Sequence, residues 1–146
     1  MVRPALIFLI ALLAFTLMLS FTSTVGAQNL DYSIDHEWVQ VFINQDGTID
    51  LTYNITVTVT DGTMRAFDVG QPNRDFTIGE TIDQNENQLN NYKYTPEVAS
   101  VDFKQPLQVQ DSIWFMVTTN VANMIANDST NPGNYRLILP PQWDEN

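Results

Sequence analysis

From Trp38 onward, apolar and polar residues alternate with a period of two. Val39, Val41 and Ile43 are interleaved with Gln40 and Phe42, and Gln45-Asp46-Gly47-Thr48 follows as a turn. Ile49, Leu51, Tyr53, Ile55, Val57 and Val59 then alternate without a break against Asp50, Thr52, Asn54, Thr56, Thr58 and Thr60. This pattern places the apolar side chains on one face, as in a strand buried on one side only. Asp-Gly between two such runs predicts a hairpin over residues 38–60, because glycine accepts positive φ and aspartate tolerates it.

A second pair, Asp61-Gly62, ends that strand. Further β-type runs are expected at residues 64–69, 76–82, 91–94, 98–103 and 135–139. Residues 107–121 read as one long or broken strand, with Leu107, Val109, Ile113, Phe115 and Val117 on a shared face. The polar stretch 83–91, which holds Asn85, Asn87, Asn90 and Asn91, reads as a mobile loop. Residues 121–125 are too short and too rich in asparagine for more than a single helical turn. The expected architecture is all-β, an antiparallel β-sandwich of about seven or eight strands.

The amino terminus has a different pattern. After Arg3 the chain carries no charge from Pro4 to Leu30, and its first half is Leu, Ile, Phe, Ala and Met with one polar interruption, Thr16. A short positive start, an apolar block and a small-residue exit describe a secretory signal peptide. Val25 and Ala27 suit the −3 and −1 positions, so cleavage is expected after Ala27. The division is therefore a signal segment at 1–27 and a β-domain at 28–146. The alternative is an uncleaved single-pass anchor over residues 5–27, long enough for a bilayer. Ser20, Thr22, Ser23, Thr24 and Gly26 favour cleavage. Both readings export the remainder, to the extracellular space or the cell surface.

Charge and cysteine content narrow the functional classes. The 146 residues carry a formal charge of −11. Removing residues 1–27 takes away one positive charge, Arg3, and leaves 119 residues at −12. Such a field repels phosphate backbones, which argues against nucleic-acid partners. With no cysteine, the exported domain is expected to hold together by its core, without disulfides.

Candidate chemistry is sparse. His36 is the single histidine and adjoins Glu37 at the edge of the first strand. No nucleophile-elbow motif accompanies it. Glu80 and Asp111 are the acids that fall on an apolar register, where strand breaks or bulges explain them. Asn44-x-Asp46-Gly47 resembles part of a calcium loop. Phe42 and Tyr53, however, occupy the places of its first and last ligands, and a tight turn accounts for the residues. Asn127, Asp128 and Asn131 could offer oxygens to a weak calcium site, but such loops are usually solvated. No enzyme, cofactor or metal centre is expected. Trp38, Phe42, Tyr92, Tyr94, Trp114 and Trp143 could form an aromatic platform, with Trp38, Trp114 and Trp143 the binding candidates. Asn54-Ile55-Thr56 and Asn127-Asp128-Ser129 match the N-glycosylation acceptor pattern.

Three stretches carry a likeness to other proteins. They are Val41-Phe42-Ile43-Asn44-Gln45-Asp46-Gly47-Thr48, Phe67-Asp68-Val69-Gly70-Gln71-Pro72 and Tyr135-Arg136-Leu137-Ile138-Leu139-Pro140-Pro141-Gln142-Trp143. In this order of features the chain resembles a group of bacterial envelope proteins of unknown function, with a signal peptide followed by an all-β domain. The resemblance implies no functional residue. Its members usually continue past the Pro-x-Trp stretch, often towards a membrane segment, whereas this sequence stops at Asn146. A truncated member or a small secreted protein would each fit. The combined expectation is an exported envelope module that is structural or binds a protein. A glycan-binding module using exposed aromatics is the alternative. The expected partner is an envelope protein or a glycan, with membrane contact only through residues 5–27 if these are retained.

Overall fold

The computed structural model describes residues 29–139, and the expected signal segment and Trp143 lie outside them. The described chain is all-β, without a helix. Its strands are β1 (Asp31–Ile43), β2 (Ile49–Asp61), β3 (Met64–Gly70), β4 (Phe76–Asp83), β5 (Asn90–Thr95), β6 (Val98–Leu107), β7 (Ser112–Val121), β8 (Ile125–Asn127) and β9 (Tyr135–Leu137). Sheet A has the order β1-β2-β7-β4, sheet B the order β3-β6-β5, and β8 and β9 form a small hairpin. All pairings are antiparallel.

The expected first hairpin is present and longer at its start, with register running from Asp31↔Asp61 to Ile43↔Ile49. Gly47 N–H donates to Asn44 O at 3.1 Å, and Gly47 itself takes φ 85°. Asp46 accepts from the Thr48 backbone and hydroxyl, which holds its carboxyl below the usual range. The turn is built from its own hydrogen bonds.

Alternation decides the faces. Ile49, Leu51, Tyr53, Ile55, Val57 and Val59 of β2 are all buried, as are Ile113, Phe115, Val117 and Val121 of β7. Sheet B meets them with Phe67, Val69, Ala99, Val101 and Phe103. The Phe115 ring sits 5.5 Å from Phe67 and 5.7 Å from Phe103, so the two sheets face each other in a sandwich-like arrangement. One polar pair is enclosed with them: Thr119 Oγ1 donates to Gln71 Oε1 at 2.9 Å.

Three local expectations are corrected. Residues 107–121 are broken at 108–111, as one of the two expectations has it, but the break separates the end of β6 from β7 in the other sheet, so they share no face. There Gln110 takes φ 73°, Asp111 caps the Gln108 N–H at 2.7 Å, and Gln110 N–H donates to Val59 O. Val109 is consequently exposed instead of sharing the core face. The stretch 83–91 is a closed turn. Asp83 accepts from the Asn85 and Asn87 backbone N–H groups and from the Asn87 side chain, while Leu89 is buried. Residues 121–125 form no helical turn: Asn123 adopts φ 58°, and the chain bends into β8.

Candidate functional site

The two sheets are unequal, and a concavity opens where they differ. β1 is the edge of sheet A beyond β2, and β3 is the edge of sheet B, joined to β2 through Tyr53 and Gly70 and to β1 through Tyr32 and Phe67. The inner face of β1 therefore overhangs the edge of β3. A register shift between Ile34 and His36 places Tyr32 and Ile34 on the same face as Glu37, Val39 and Val41. The result is a cleft of about 1110 Å³ bordered by these residues, by Met64, Phe67 and Val69 of β3, and by Tyr92 and Tyr94. Ile34 and Val39 are 39% and 37% exposed, although alternation assigns them to an interior face. An apolar face left open beside an unpaired strand edge favours association.

Polar groups interrupt this apolar lining. Tyr53 is buried, and its hydroxyl donates to Gly70 O at 3.4 Å. Burial pushes the phenol up to about 12, the nearby Glu37 carboxylate pushes the same way, and a hydrogen bond with Gln71 opposes them. Among the described residues, Glu37 and Asp68 are the charged residues that border the cleft, and no Lys, Arg or His does. The wall thus combines apolar side chains with negative charge.

The sequence-selected residues lie mostly elsewhere. Trp38 and Trp114 both face outward on sheet A, on strands flanking β2: Trp38 pairs with Asn54, and Trp114 pairs with Thr56. Trp38 is half exposed and Trp114 is partly buried. Phe42 is exposed on the same outward face, paired with Asp50. Tyr92 and Tyr94 stack edge to face at 6.5 Å and belong to the cleft instead. Trp143 lies outside the described residues.

His36 and Glu37 are interior to β1 and not at its edge, and they project to opposite faces, paired with Thr56 and Ile55 respectively. They do not form a joint acid–base pair. Glu80 is exposed at a bulge in β4, where Thr118 Oγ1 donates to its backbone carbonyl. Asp128 accepts from the Asn131 side chain and from the Thr130 and Asn131 backbone, and these bonds hold its pKa low. Its carboxylate serves the turn. Among the described residues, no three His, Cys, Asp or Glu side chains converge as metal ligands.

Sequence reasoning missed the cleft, although Glu37 carried a signal. It continues the Val39–Val41–Ile43 register as a lone charge on an apolar face. Asn54 of the first acceptor motif is half-buried between Trp38 and Met116, while Asn127 of the second is exposed at the end of β8. No protein-family model matches the chain, and no curated protein matches it.

Proposed function

We propose that the protein is an exported β-sandwich module of the cell envelope that binds another protein through the cleft between β1 and β3. The observation that carries this reading is the open apolar face of β1, with Ile34, Val39 and Val41 standing above an edge strand. Monomeric domains rarely leave such a face beside unpaired backbone unless something covers it. The strong negative charge and the apolar amino-terminal block support export and solubility outside the cell. The reading assigns no catalytic role to His36, Glu37 or the acids.

A photoreactive amino acid at Val39, tested in an exporting host, checks this. It should give a discrete adduct with an envelope protein, whereas the same probe at Gln40, on the other face, should not. Absence of an adduct at Val39, or equal labelling at both positions, removes the reading.

A second reading rests on Trp38 and Trp114 sharing the outward face of sheet A. Two indole rings on one flat face suit stacking on a glycan chain. Affinity electrophoresis in polysaccharide gels tests it: retardation should appear and be lost in Trp38→Ala. No retardation on any polysaccharide would end it.

A further inference from the structure

We propose that the cleft takes an extended segment of a partner protein by strand addition to β3, with a lysine or arginine of that segment seated at Glu37. The proposal deepens the interaction reading above and rests on it. Among the described residues sheet A has four strands and sheet B three, and past the contact of Tyr32 with Phe67 no further strand follows β3 under β1. Among the described residues β3 pairs only with β6, and its other edge is where an added strand would form a ladder. β3 spans seven residues, a length of about 23 Å at the usual rise per residue. A strand laid along it would place every second side chain against Ile34, Val39 and Val41. Main-chain bonds would supply affinity and the alternate pockets specificity, as in other strand-addition complexes.

Charge selects the occupant. Glu37 projects from the apolar face into the cleft, and no Lys, Arg or His among the described residues lines it. The Tyr53 hydroxyl and Gly70 carbonyl add oxygen acceptors to the lining. A second copy of this acidic chain would bring like charge to like. The chain's own residues beyond Leu139 begin with Pro140 and Pro141, which lack the N–H groups a ladder needs, and add Asp144 and Glu145. A partner segment of alternating apolar residues with one cation meets each requirement.

Two synthetic peptides test this with the purified protein. Each has about nine residues, a strand length, with valine and threonine alternating around a central lysine or a central glutamate. The lysine peptide should bind at least tenfold more tightly and protect amides of Met64–Gly70 from deuterium exchange. Glu37→Gln should abolish the preference, and Glu37→Lys should reverse it. Both changes are at an exposed position, and an unchanged melting curve confirms folding. The proposal is overturned if neither peptide protects β3, if the preference survives Glu37→Lys, or if self-association protects those amides instead. It is also overturned if binding appears only after truncation at Leu139. A Val39 adduct combined with inert peptides would retain the interaction reading and discard strand addition. Loss of both would discard both.

Discussion

A Cβ placed on Gly62 would lie 2.3 Å from the carbonyl oxygen of Asn29. Gly62 takes φ 77°, so both its conformation and its closeness to the backbone before β1 require the absence of a side chain. The second Asp-Gly pair thus ends β2 and also fixes where β1 begins. Gly62→Ala should cost more than the roughly 1–2 kcal/mol of left-handed strain alone. Gly47→Ala, with φ 85° and only an ordinary contact to Ile125, should cost about that strain. Thermal melts of the two variants give the order directly, and equal losses would contradict the Asn29 contact.

Phe115 joins the sheets. It is fully buried and touches both Phe67 and Phe103, so Phe115→Ala should lose about 3–5 kcal/mol, as for other buried aromatic truncations. Its neighbour Trp114 points outward, and Trp114→Ala should lose clearly less. Chemical denaturation of both variants checks the assignment of faces.

Tyr53 predicts an alkaline signature. Its folded pKa of about 12 lies above the unfolded value near 10. A raised folded value means that stability is fully present below about pH 10 and is lost as pH rises through 12. Ultraviolet titration should show one tyrosine ionising well after the exposed ones. Glu37→Gln should bring that step down, because it removes one of the two effects raising it. Tyr53→Phe should flatten the alkaline loss.

Asp83 predicts the opposite limb. Burial raises its pKa, but hydrogen bonds from Asn87 and Asn85, together with the charge of Lys104, outweigh this and leave it lowered. A lowered folded value gives stability that is present above the unfolded value near 4 and lost as pH falls through the folded one. Asp83→Asn should therefore weaken the acid dependence of the melting temperature. An unchanged slope between pH 5 and about 3 would contradict the role given to this carboxylate.

The sequence revealed elements better than their connections. The β2 alternation was legible because every second residue from Ile49 to Val59 is apolar and buried. Residues 107–121 misled because Val109 keeps the period while Gln110 breaks the strand through a positive φ, which leaves no mark on hydrophobicity. The asparagine-rich stretch looked mobile because composition does not show that one carboxylate, Asp83, gathers several of its donors. The cleft was hidden for a different reason. Which strand lies opposite β1 depends on chain crossings between sheets, and β1 alternates in the same way whether its inner face is covered or open.

Among the described residues β1 has a single neighbouring strand, and its ladder starts beside Asn29. Half of its backbone groups therefore face away from β2. Its amides should exchange with solvent hydrogen ahead of those of β2, which is enclosed between β1 and β7 around the core of Phe115.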